Sequence, residues 1–140
     1  MLHLRKTLTL AGAALAITAP LMATGSSALA ATARNGVCES GEFCYYYNSN
    51  EAGSVSDFVT TVGDYGTTQP TCYDFKGPGA GKGQCIKNNA ASVWNRTDTN
   101  VTVYFNSNSE GPSQTFRPGE KNNLNATLKN NNASHEFAGP

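Results

Sequence analysis

The stretch YYNSNEAGS, Tyr46 to Ser54, recurs 58 positions later as YFNSNSEGP, Tyr104 to Pro112. Each copy has an aromatic pair, then Asn-Ser-Asn, then a glycine seven places after the first aromatic. The register extends outward, with Phe58 falling on Phe116 and Tyr45 on Val103. A second echo follows each hairpin: KNNAAS, Lys87 to Ser92, against KNNNAS, Lys129 to Ser134. Self-similarity of this kind constrains the fold before any single residue does. Residues 43–47 and 101–105 are β-branched and aromatic, which suits strands. Asn-Ser-Asn then turns the chain, because Asn bonds to nearby backbone and tolerates left-handed conformations. Gly53 and Gly111 are placed for positive φ, with a ring from Tyr46 or Tyr104 expected over each.

The chain opens with Arg5 and Lys6, an apolar run interrupted at Pro20, and small-residue cleavage motifs at Ala28-Leu29-Ala30 and Ala31-Thr32-Ala33. Residues 1–30 therefore read as a secretory signal rather than a retained membrane span. What remains, 31–140, suits one domain, with a first Greek key at about 36–95 and a second at about 96–140. Without Arg5 and Lys6 the ten basic residues become eight against ten acidic ones, a net charge of about −2. No basic stripe is present, which argues against nucleic acid or an anionic membrane as partner. Apolar stripes of helical period are also missing.

Strands are expected at 43–47, 54–59, 71–75 and 90–95, then at 101–105, 113–116, 122–128 and 134–137. Four short strands per copy, in two copies, give an all-β sandwich of paired Greek keys. Trp94 is expected as a core anchor, and Gly77 to Gly83, GPGAGKG, as a flexible exposed connection. That glycine run is no phosphate loop, since its lysine is misplaced and no Ser or Thr follows it.

Cys38, Cys44, Cys72 and Cys85 follow an export signal, so disulfides are expected rather than zinc or free thiols. Three connectivities are possible. Cys38–Cys44 with Cys72–Cys85 is favoured, because each pair closes a short loop containing glycine and contributes about 2–3 kcal/mol. Nucleophilic catalysis is disfavoured: beyond the signal the sole histidine is His135, and no G-x-S-x-G element occurs. The ten acids are scattered, with no pair marked for glycoside hydrolysis. The chain is read as a non-enzyme without a cofactor.

A weak Ca²⁺ site is conceivable from Asn88, Asn89 and Ser92, and again from Asn130, Asn131 and Ser134. These stretches offer amides and hydroxyls but no carboxylate, and calcium affinity rises with ligand charge. The competing expectation is that they simply cap and turn the chain. Sequons beginning at Asn95, Asn100, Asn125 and Asn132 indicate only that those segments can be exposed.

The paired hairpins, each followed by N-N-x-x-S, resemble the βγ-crystallin Greek-key pair. CESGEFCYYYNSNEAG, with its Cys-x5-Cys, and SVWNRT before the second motif are similar to the secreted actinobacterial peptidase inhibitors of the Streptomyces metalloproteinase inhibitor type. This likeness spans about residues 36–137. Two departures stand out: Glu51 and Ser109 replace a second hairpin aromatic, and Val93 and His135 replace the serine that usually ends the calcium stretch. The resemblance implies a monomeric, secreted inhibitor of an extracellular metallo- or serine peptidase, acting through a rigid disulfide-closed loop. Its candidate contact residues are Cys72, Tyr73, Asp74 and Phe75. Tyr73 and Phe75 would fill the apolar pocket of a thermolysin-like enzyme, with Asp74 near its metal. The alternative is a non-inhibitory βγ-crystallin-like module outside the cell, calcium-binding or purely structural.

Overall fold

The computed structural model describes Gly12 and residues 30–139, so the expected signal segment lies almost wholly outside the described residues. Among the described residues seven strands form: β1 Phe43–Asn48, β2 Ala52–Phe58, β3 Ser92–Asn95, β4 Val101–Asn106, β5 Glu110–Phe116, β6 Lys121–Asn123 and β7 Ser134–Phe137. All pairings are antiparallel. One sheet has the order β2-β1-β3-β6 and the other β5-β4-β7.

The two hairpins are conformational copies. Asn50, Glu51 and Gly53 have φ of 58°, 53° and 80°, and Asn108, Ser109 and Gly111 have 61°, 58° and 80°. Register slips at the same place in both, between Tyr46 and Asn48 and between Tyr104 and Asn106. The glycines are required, but not by a tyrosine ring. A Cβ on Gly111 would lie 2.6 Å from Nδ2 of Asn106, and one on Gly53 would lie 3.1 Å from Nδ2 of Asn48. The first Asn of each Asn-Ser-Asn lies over the glycine.

Alternation along the strands sets the core. Phe43 and Tyr45 of β1, Phe58 of β2, Val93 of β3, Val101 and Val103 of β4 and Phe116 of β5 are buried between the sheets. Phe43 crosses the interface, with its ring 6.1 Å from Phe116 and 6.4 Å from Phe137. Each such buried side chain contributes about 1.5–3 kcal/mol. Trp94 has the opposite parity from Val93. It is half-buried on the outer face, with Lys121 Nζ 3.9 Å from its ring centre and the Arg96 guanidinium 4.5 Å from it. It is not the expected core anchor.

The third strand of each copy crosses to the other sheet. β6, from the second copy, pairs with β3 of the first. The reciprocal crossing is reduced to one bridge, Val62 with His135 of β7, closed by backbone bonds of 3.1 Å in both directions. Two expected strands fail. At 71–75 only the bridge Asp74–Cys85 forms. The strand expected at 122–128 ends at Asn123, because the Asn125 side chain accepts the Thr127 and Leu128 N–H groups and starts a turn.

Candidate functional site

The repeats differ in length between their matching parts. The hairpins are 58 positions apart and the Asn stretches 42, so the first copy carries 16 additional residues between them. That excess contains the disulfide Cys72–Cys85, whose Cα atoms are 5.6 Å apart; Cys38–Cys44 is the other bridge. Both favoured pairings form.

The 72–85 loop is held at several points. Phe75 N–H donates to Gln84 O, Gly83 N–H to Phe75 O, and Ile86 N–H to Tyr73 O. Gly77 N–H donates to Val55 O, Ser54 N–H to Ala80 O, and Ser54 Oγ to Gly77 O. Gly81 sits on the face of Tyr47, where an added Cβ would fall 2.2 Å from ring carbons. The glycine run is thus strapped along β2 rather than being the flexible connection its composition suggests.

Of the four candidate contact residues, Cys72 is buried at the disulfide. Phe75 is 1% exposed and packs edge-on against Tyr47, so it anchors the loop and presents nothing to a partner. Tyr73 is 38% exposed and flanks a cleft of 240 Å³ bordered by Arg34, Thr71, Asp74 and Lys76. Partial burial works to raise the pKa of Asp74, but Lys76, Gln69 and Arg34 outweigh it and hold the carboxylate below its usual range. Lys76 Nζ is 2.8 Å from Oδ1 and Gln69 Nε2 is 3.1 Å from Oδ2.

Arg34 braces this face, a role that composition and spacing do not mark. Its guanidinium donates to Ser56 Oγ at 2.6 Å, Asp57 O at 3.1 Å and Asp74 O at 2.7 Å, and lies 4.4 Å from the Phe58 ring centre. The segment around it is fixed by Asp57, which accepts the Asn35 and Gly36 N–H groups. Beside Asp57 lies Glu42, fully buried, whose Oε1 has no partner. Desolvation, with Asp57 and Glu39 adding repulsion, pushes Glu42 up to about 7. A proton on Glu42 gives the orphaned oxygen a donor toward Asp57.

The Asn stretches line two clefts related by the internal repeat. The first, of 480 Å³, is bordered by Tyr47, Asn48 and Ser49 of the β1–β2 hairpin, Asn88 and Asn89, and Lys129 and Asn130 of the other copy. The second, of 300 Å³, has Phe105, Asn106 and Ser107, then Asn131, and Lys87 and Asn88 of the other copy. These residues fit calcium poorly. Ser92 Oγ donates to Asn48 O and accepts Glu51 N–H, while Ser134 Oγ donates to Asn106 O and accepts Ser109 N–H. Both serines thereby close their hairpins. Asn89 and Asn131 bond to turn carbonyls. No carboxylate borders either cleft, and each is bordered by a lysine.

His135 is fully buried in a hydrogen-bond chain: Tyr45 Oη to Tyr65 Oη at 2.6 Å, Tyr65 Oη to His135 Nδ1 at 2.8 Å, and His135 Nε2 to Thr60 O at 2.8 Å. Burial holds its imidazole down near 4. Among the sequons, Asn95 and Asn132 are buried and bonded to backbone carbonyls, whereas Asn100 and Asn125 are exposed.

A sequence model of the family described as "Inhibitor_I36: Peptidase inhibitor family I36" matches residues 31–116. Among solved structures, one described as "Evolution of the eye lens beta-gamma-crystallin domain fold" is similar at TM-score 0.54 and 14% identity. It covers 77% of this chain and 91% of that one. A βγ-crystallin from Ciona intestinalis is similar at TM-score 0.51 and 14% identity, covering 70% of this chain and all of that one. At such identities the likeness concerns the fold, an all-β sandwich of the βγ-crystallin kind, as the sequence reading expects. No curated protein matches the chain.

Proposed function

The chain belongs to peptidase inhibitor family I36, and from that premise we propose that it blocks an extracellular metallo- or serine peptidase through the Cys72–Cys85 loop. Membership supports inhibition of a peptidase in general. Two disulfides agree with an oxidising setting outside the cell.

The observation that carries the reading is the contrast within three residues. Phe75 is sunk in the core, while Tyr73, two residues earlier and held by its own backbone bonds to Tyr65 and Ile86, stands 38% exposed on the cleft. A loop closed by a disulfide and strapped to β2 loses little ordering entropy on docking, so more of its contact energy appears as affinity. Tyr73 supplies the apolar body that enters the peptidase pocket. Asp74 is engaged by Lys76, Gln69 and Arg34, so its role is to stiffen the loop rather than to reach a partner's metal.

Mixing the mature chain, 31–140, with thermolysin and with subtilisin tests this. Micromolar protein is expected to slow at least one of them, and Tyr73→Ala to weaken that effect by at least tenfold. Unslowed turnover of both enzymes removes the reading for those two classes. An inhibitor whose potency survives Tyr73→Ala acts through another surface.

A further inference from the structure

The twin clefts share a plan but differ in what their polar groups are free to do. The first, of 480 Å³, falls within the range of small-molecule sites, about 300–1,000 Å³. Among the described residues the side chains of Ser49, Asn88, Lys129 and Asn130 on its border make no hydrogen bond or ion pair within the protein. Tyr47, also on the border, is a fixed wall: Gly81 sits on its ring face and the Phe75 ring stands edge-on at 5.5 Å. In the second cleft the matching lysine and serine are already engaged. Lys87 Nζ lies 3.1 Å from Ser107 Oγ on the border, and 3.1 Å from Oδ1 of Asp64, which does not border the cleft. Phe105 stands there in the place of Tyr47.

We propose that the first cleft binds an acidic saccharide, a sugar unit carrying one carboxylate or sulfate ester, with Lys129 as its counter-charge. A metal cation is repelled by the ammonium and meets no carboxylate on the border. A bare anion would pair with Lys129 and the amide N–H groups, but would leave the amide carbonyls facing negative charge. A sugar meets both demands, because each of its hydroxyls donates as well as accepts. Ser49, Asn88 and Asn130 offer donors and acceptors together in one place. The C–H surface of the sugar packs against the Tyr47 wall, as apolar parts of ligands do on aromatic linings. Only the first cleft keeps a free ammonium, so each chain takes one ligand rather than two. The cleft shares no bordering residue with the one beside Tyr73, so the site is separate from the peptidase contact.

Calorimetry of the mature chain, 31–140, with digalacturonate, galactose 6-sulfate, neutral galactobiose and acetate tests this. At least one acidic sugar is expected to bind once per chain with a Kd on the order of 1 mM, about tenfold or more tighter than galactobiose or acetate. Whichever acidic sugar binds tighter names the charged group. Lys129→Gln is expected to weaken that binding about tenfold with the Tm unchanged. Backbone amide shifts on titration should be confined to 47–49, 88–91 and 129–130. Silence from both acidic sugars at about 10 mM overturns the proposal. So does equal binding of galactobiose or acetate, two equivalent sites per chain, or affinity that survives Lys129→Gln.

Discussion

Tyr65 donates its hydroxyl proton to His135 Nδ1 at 2.8 Å in the centre of the sandwich, and so fixes the imidazole as the neutral tautomer with Nε2–H on Thr60 O. His135, the sole histidine beyond the expected signal, is a spacer between the sheets. Its ring is 4.9 Å from Phe58 and 5.7 Å from Phe137.

This buried imidazole makes stability depend on pH in a definite direction. Its folded pKa, near 4, is below the ordinary 6.5, so between those values the unfolded chain binds the proton and the native one does not. The contribution is present above 6.5 and lost as pH falls toward 4, about 3 kcal/mol in all. Glu42 works oppositely. Its folded value, near 7, exceeds the ordinary 4.5, so its contribution is present below 4.5 and lost as pH rises through 7, again about 3 kcal/mol. From pH 4.5 to 6.5 the two slopes offset each other, and the wild-type Tm should be nearly level. Glu42→Gln should expose the histidine term, with Tm falling steeply on acidification across that window. Parallel curves for variant and wild type would refute the assignment.

Gly81 faces the Tyr47 ring at a φ of 85°, so Gly81→Ala meets both a clash and backbone strain. A loss of about 2 kcal/mol is expected in urea denaturation. The strap should lift from the hairpin, and backbone amides 80–84 should exchange faster while β4 and β5 stay protected. Unchanged exchange there would mean the strap does not depend on this contact.

The disulfides should separate function from fold. Cys72→Ser with Cys85→Ser removes a 12-residue loop closure and costs about 3 kcal/mol. Inhibition should fall with it, by tenfold or more at a temperature where the sandwich remains folded by circular dichroism. Full potency of that double variant would show that the loop is no more than a crosslink.

Arg34 links the start of the described chain to the candidate contact face through Ser56, Asp57 and Asp74. Arg34→Lys keeps the charge but cannot span these acceptors with one ammonium. About 2 kcal/mol of stability should go, together with faster cleavage around 34–39 in limited proteolysis. A lysine variant as resistant as wild type would leave the brace without consequence.

The hairpins were legible because their chemistry is local: Asn-Ser-Asn and a glycine dictate left-handed turns wherever they fall. The segment 60–91 was not, because no periodicity governs it. Tyr65, Phe75 and Ile86 are buried by tertiary packing around a disulfide, which leaves no strand pattern to read. Trp94 was misplaced because a four-residue strand gives parity too little length to show. Lys87 and Lys129 stand in plain view at the head of both Asn stretches, yet only the folded chain shows Lys87 on Ser107 of the other copy's hairpin and Lys129 at the border of the first cleft. Arg34 had no signal at all, since its partners are mostly carbonyls.

The crossing of β6 onto β3, answered by Val62 on His135, means that each half borrows an edge from its twin. A polypeptide cut near residue 98 would leave both pieces with an open border and an uncovered apolar surface, so neither piece could stand alone in water. A single unit with the same edge could close that border only against a second copy. With both units in one chain that meeting is intramolecular, and the first unit alone carries the longer segment that the Cys72–Cys85 bridge closes.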